Sequence, residues 1–353
     1  MSLPMSLPDE LWLIVFEYLP WRERFRLRAV TREWRDLVSG AAAPRFWLDV
    51  PMGDARKGLI ISCGGGNIPV AAWLADRFEL TAADARTDYN YALREACANG
   101  HLAVAQWLVD RFEMTAADAR AGGNHALGEA CSHGNFPVAT WLVDRFGLTA
   151  DDVRARNNWA LRGACANGHL AVAEWLADRF ELTAADARTD ENYALRAACA
   201  GGHLAVATWL VDWFELTEDD ARANDNCALR RACVNEHLEV AEWLADRFEL
   251  TAADARVGRN CALLGACADG RLAVARWLAD RFELTAADAR ADGNYALCMA
   301  CENGHLAVAE WLVNRFELTA ADAHGCDNFA LRMACAFGHL AVAEWLVDRF
   351  GPA

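Results

Sequence analysis

A cysteine recurs every 34 residues from Cys63 through Cys97, Cys131, Cys165, Cys199, Cys233, Cys267 and Cys301 to Cys335. A tryptophan follows each one ten positions later, from Trp73 to Trp345, and a phenylalanine series from Phe78 to Phe350 keeps the same register. Nine units in phase dictate an array in which each unit buries its apolar face only against its neighbours. No closed enzyme core fits in that stretch, so function is expected on surfaces.

Residues 192–225 show what one unit is made of. Ala194, Leu195, Ala198 and Cys199 are apolar at spacings of three and four, which predicts a short helix ending at Gly201-Gly202. His203 to Phe214 carries Leu204, Val206, Ala207, Leu210, Val211 and Phe214, the broad stripe of a longer helix buried between layers. Thr217 and Asp220 then have the spacing of a capping box, which predicts one further helical turn.

The formal charge of the 353-residue chain is −16. Residues 1–50 hold seven acids and seven bases, so the excess belongs to the array. Such a surface repels phosphate backbones and anionic lipid, so neither nucleic acid nor membrane is expected as a partner, and a basic or neutral protein fits better. The apolar run Leu11 to Phe16 is far too short to span a bilayer, and no targeting signal is read around it.

The periodic cysteines each sit in an Ala-Cys pair or its equivalent, where a small buried thiol packs much as alanine would. A zinc reading rests on Cys-x3-His, as at Cys165 and His169. It fails on consistency, because Asn67, Asn135 and Arg271 replace the histidine in three units, and two ligands fall short of four. Cys227, Cys261, Cys298 and Cys326 follow no period. So many unpaired thiols point to a reducing compartment.

Gly-His-Leu followed by an apolar helix, as in Gly168 to Leu176, resembles the second helix of an ankyrin repeat. Tyr193-Ala194-Leu195-Arg196 stands where that family has Thr-Pro-Leu-His. The period of 34 exceeds the usual 33, and Thr-Ala-Ala-Asp-Ala-Arg replaces the turn from which ankyrin fingers begin. The variant resembles the ankyrin arrays that giant DNA viruses of protists encode in large numbers. The expected fold is all-α: an N-terminal three-helix module at 1–39, a packed connector at 40–55, and an ankyrin-like solenoid of nine repeats at 56–353. The array should curve to the right over about 80 Å, at roughly 8–10 Å per layer. The last unit stops soon after Phe350, so its layer is expected to fray.

At the N-terminus Pro8, Asp9 and Glu10 favour a helix start, and Leu11, Ile14, Val15 and Tyr18 form one stripe before Pro20. Phe25, Leu27 and Val30 follow among arginines, and Thr31 can cap a third helix with Trp34 and Leu37. The pattern Leu7-Pro8-Asp9-Glu10-Leu11, Tyr18-Leu19-Pro20 and Val30 with Trp34 resembles the F-box. Trp21, Arg24 and Thr31 stand where that family commonly has proline, leucine and cysteine. The resemblance implies docking on a Skp-type adaptor of a cullin ubiquitin ligase, through Leu7, Pro8, Leu11, Ile14, Leu19, Val30 and Trp34. The alternative is a helical cap that shields the first repeat.

No phosphate loop, nucleophile elbow or His-Glu-x-x-His helix occurs in the chain, so no enzyme, cofactor or metal is expected. Two function classes stand: the substrate receptor of a ubiquitin ligase, and a scaffold that sequesters a protein without degrading it. Either works in the cytoplasm, that of the host if the source is viral, with the nucleus as a second compartment. The residue after the periodic asparagine varies while the framework does not. Tyr91, His125, Trp159, Tyr193, Tyr295 and Phe329, with Cys227 and Cys261 in the same series, therefore form the candidate target-binding row. The competing reading is that these aromatics staple adjacent layers. Lys57 is the sole lysine, which would leave almost no acceptor for self-ubiquitination; the alternative, and the simpler account, is a coding bias toward Arg, Ala and Gly.

Overall fold

The computed structural model describes residues 52–351. The module expected at 1–39, with its adaptor set Leu7, Pro8, Leu11, Ile14, Leu19, Val30 and Trp34, lies outside the described residues. Every regular element among the described residues is an α-helix. They fall into two compact units, one holding residues up to 130 together with 135–148, the other 131–134 together with 149 onward.

In the first unit the helix Met52–Gly64 packs on Thr87–Ala98, which packs in turn on Leu102–Arg111. The second unit repeats one motif. Its front helices stack in chain order: Ala150–Ala166, Thr189–Ala200, Glu218–Val234, Val257–Ala268, Ala291–Glu302 and Gly325–Ala336. Each front helix also packs against the back helix that follows it, as Thr189–Ala200 does against Leu204–Trp213.

The core is what the periodicity predicts, apart from Leu204, which is only half-buried. Ala194, Leu195, Ala198, Cys199, Val206, Ala207, Leu210, Val211 and Phe214 are all buried. The periodic cysteines from Cys63 to Cys301 are fully buried, and Cys335 is exposed. Burying one leucine contributes roughly 1.5–3 kcal/mol, and the leucine pair of each unit recurs at every layer. The periodic tryptophans are only half-buried. Each meets the phenylalanine five residues on edge-to-face, at 5.6 Å between centroids for Trp209 and Phe214 and 6.1 Å for Trp243 and Phe248.

The two helices of a unit are joined by a glycine in the left-handed region, Gly202 at φ +74°. The ring of His237 from the next unit lies over it, and a Cβ there would come within 2.5 Å of His237 Nδ1. In this array the Cys-x3-His spacing thus places a histidine at the start of a back helix, over the preceding unit's turn. At the other end of the back helix a glutamate takes the left-handed position that usually falls to glycine, as Glu181 does at φ +48°. The amide of Leu182 then closes the helix on Ala177 O at 3.0 Å.

Candidate protein-interaction surface

The predicted turn after each back helix forms, and its chemistry is richer than the spacing suggests. Thr217 begins a capping box in which Asp220 accepts from the Thr217 amide at 2.8 Å and its hydroxyl at 3.2 Å. The next residues contain three consecutive left-handed positions, Asn224, Asp225 and Asn226, with φ between 53° and 55°. The same triple occurs at Asp190-Glu191-Asn192 and Gly258-Arg259-Asn260. Asparagine, aspartate and glycine tolerate this conformation best, which explains the composition of the segment. Asn192 is therefore the last residue of the left-handed turn, and the helical conformation resumes at Tyr193. No β-hairpin finger is found among the described residues.

The capping-box aspartate also joins two layers. Arg188 of the preceding unit donates from Nε to Asp220 Oδ1 and from Nη2 to Asp220 Oδ2, both at 2.8 Å. Asn192 donates to the same carboxylate at 3.1 Å. Equivalent forks run from Arg86 to Asp118, Arg154 to Asp186, Arg222 to Asp254, Arg256 to Asp288 and Arg290 to Asp322. The Arg256 fork, opposed by burial and aided by the Thr285 amide, holds the Asp288 carboxyl down to about 2. Asp322 sits at about 2 for the same reasons, through Arg290 and Thr319. Burial would raise Asp220, but the bonds from Arg188, Thr217 and Asn192 outweigh it and bring that carboxyl to about 2 as well. The buried periodic asparagines reach across the same seam, Asn226 to Asp254 O at 3.0 Å and Asn260 to Asp288 O at 3.2 Å. Their Oδ1 atoms have no hydrogen-bond partner among the described residues. The left-handed backbone and the need for a donor select asparagine despite that loss.

The sequence-predicted row follows this turn directly. In the first unit the Tyr91 ring lies 5.0 Å from the Arg94 guanidinium, and His125 stands 3.7 Å from Glu129. In the second unit Arg156 covers Trp159 at 5.0 Å, and Arg332 covers Phe329 at 5.9 Å. Tyr193 lies between Arg162 of the preceding layer at 4.6 Å and its own Arg196 at 5.7 Å. These contacts bind the rings to the array, yet Tyr193 keeps 39 % of its surface exposed and Tyr295 43 %. Cys227 is buried, with only 5 % of its surface exposed.

The Arg–Asp seam was not read from the sequence, although Asp-Ala-Arg recurs at the period and is its signal. Burial pushes the periodic thiols up, Cys233 and Cys301 to about 12, so they stay protonated and pack as small apolar groups. Among the described residues no three His, Cys, Asp or Glu side chains gather as a metal set, and no helix is long and apolar enough to cross a membrane.

Comparison with known families accords with this architecture. A family model described as Ankyrin repeats (3 copies) matches residues 161–255 and 263–352, and one described as Ankyrin repeats (many copies) matches 93–143. A third, F-box-like, matches 5–43. No curated protein matches the chain. With more than half its length covered, the chain belongs to the ankyrin-repeat family, and it carries an F-box-like domain at its N-terminus. That combination is an adaptor's: one domain for an assembly partner, and repeats that bind protein targets.

Proposed function

We propose that this chain is the substrate receptor of a Skp-cullin-F-box ubiquitin ligase. The observation that carries the reading is the F-box-like match at 5–43 on the same chain as an ankyrin array. Leu7, Pro8, Leu11, Ile14, Leu19, Val30 and Trp34 dock the Skp-type adaptor, and the cullin follows through that adaptor. Tyr91, His125, Trp159, Tyr193, Tyr295 and Phe329 read the target; of these, Tyr193 and Tyr295 present the most ring surface. A single lysine, Lys57, suits a receptor that outlives its targets. If the source is a giant virus, the adaptor is the host's and the chain works in the host cytoplasm.

A second reading rests on Arg24, which places a charge where the F-box commonly has leucine. A chain that failed to dock would hold its target without degrading it. Co-purification with a Skp-type adaptor separates the two. The unmodified chain should bind at micromolar concentration, and Leu7→Ala with Pro8→Ala should remove binding while the melting temperature of the array stays put. Absence of binding by the unmodified chain would make it a sequestering scaffold.

A further inference from the structure

Two adjoining cavities of about 290 and 430 Å³ open on the front-helix side of the second unit, and both are lined by Arg196, Cys227 and Arg231. The first is floored by small residues, Ala166, Ala197, Ala200 and Gly201, and walled by Tyr193; Arg230 lines the second. From this we propose a groove that takes an acidic peptide segment of a protein partner. The proposal rests on the reading that the array binds a protein target, and it names that target's chemistry.

The groove's charge is opposite to that of the chain as a whole. Elsewhere in the unit, the arginines of the seam each face a carboxylate. Arg196, Arg230 and Arg231 have no carboxylate within ion-pairing distance among the described residues. Arg196 donates from Nε to Glu191 O and from Nη2 to Asp190 O, both at 2.7 Å. Arg230 donates in the same way to Asp225 O at 2.9 Å and Asn224 O at 3.3 Å. These carbonyls belong to the left-handed turns. They hold each guanidinium in place without neutralising it, so its ordering cost is met before a ligand arrives. Arg231 is exposed and carries its full charge into the groove.

None of the nearby acids lines either cavity. Asp190 is taken by Arg162 at 2.5 Å, and Glu191 accepts from Asn224. Asp225 stands exposed on the turn itself. The feature is local: the positions of Arg230 and Arg231 hold Leu264 and Gly265 one unit on, and Cys298 and Met299 two units on.

A groove across three layers at roughly 8–10 Å each spans about 24–30 Å, the reach of about seven to nine extended residues. A short acidic run fits it, whereas a long polyanion would meet the negative charge of the rest of the array. An exposed tyrosine beside three unpaired guanidinium groups suits carboxylates flanked by an apolar or aromatic side chain.

The test is fluorescence anisotropy of a labelled deca-glutamate peptide against the full chain, without adaptor, over a range of salt. Saturable binding that weakens with salt is expected, about tenfold weaker in Arg231→Glu. Arg231→Gln, which removes the charge without adding a carboxylate, should lose less in the same direction. The Arg231 side chain makes no hydrogen bond or ion pair among the described residues, so both variants should keep the helicity of the parent, as circular dichroism would check. Arg276→Glu, on a back helix, changes net charge equally and should shift affinity by no more than about twofold. Equal losses from Arg231→Glu and Arg276→Glu, or no binding at all, would overturn the proposal. Tighter binding of a single-stranded DNA decamer would do so too, in favour of nucleic acid. Because no adaptor is present, this result stands apart from whether residues 5–43 dock.

Discussion

In the second unit, the seam between layers and the face of the front helices are written in the same 34-residue period, and they vary in opposite ways. The seam keeps Thr, Asp, Arg and Asn at every layer, from Thr183, Asp186, Arg154 and Asn158 to Thr319, Asp322, Arg290 and Asn294. The face varies along the array, with Tyr193, Cys227, Cys261, Tyr295 and Phe329 at one position and Arg196, Arg230, Leu264, Cys298 and Arg332 at another. A carboxylate that caps its own turn and receives a fork from the layer before has no freedom to vary. A side chain that only leans on a neighbouring arginine has. The seam therefore carries cohesion, and the face is where identity can be written.

Acid should break the seam first and most. The Asp220, Asp288 and Asp322 carboxyls fall from the usual 3.8 to about 2 in the folded chain. A folded-state value below the unfolded one stabilises the array above about pH 4, and that contribution is lost as pH falls from about 4 toward 2. Each contributes at most on the order of 2 kcal/mol, reduced because the partner arginines are partly solvated. Thermal unfolding followed by circular dichroism should show a steep drop in melting temperature across that window. A flat profile there would mean that the forks add little cohesion.

Asp220→Ala is the single-site version. It removes the acceptor for the Thr217 amide and hydroxyl and strands Arg188 and Asn192, all at one seam. A loss of about 2–4 kcal/mol is expected in urea unfolding. Because each layer touches only its neighbours, the transition should also broaden or split. A cost under about 0.5 kcal/mol, the range of ordinary surface changes, would erase the distinction between seam and face.

The face should respond least. Tyr295→Ala removes a ring that is 43 % exposed, and stability should stay within about 0.5 kcal/mol of the parent. Tyr193→Ala, which empties the space between two guanidinium groups, should cost about 1 kcal/mol. Both should weaken target capture. If Tyr193→Ala destabilises as much as Asp220→Ala, that ring belongs to the seam and not to the face.

Much of the fold was legible because repetition amplifies weak signals. One Ala-Leu pair is ambiguous, but Ala194-Leu195 recurring as Ala228-Leu229, Ala262-Leu263 and Ala296-Leu297 defines a buried stripe. The capping boxes were legible for another reason: Thr217 and Asp220 are three residues apart, and local chemistry writes itself into local spacing. The left-handed triple was half legible. Its Asn, Asp and Gly content shows a turn, yet Arg156, Glu191 and Arg259 in that conformation do not follow from preference and depend on the layers that hold them.

The sequence alone determined an all-helical array, its register, its buried cysteines and an N-terminal F-box-like segment, because these depend on residue type and short spacing. The tertiary structure decided which charges meet. Arg188 finds Asp220 across 32 residues and has its charge balanced there, while Arg196 in the same unit finds two backbone carbonyls, the Cys227 sulfur and the Tyr193 ring but no carboxylate. Both are arginines in an acidic chain, and nothing in composition separates them. The difference lies in distance, since a guanidinium is neutralised only by a carboxylate that folding brings within a few ångströms of it.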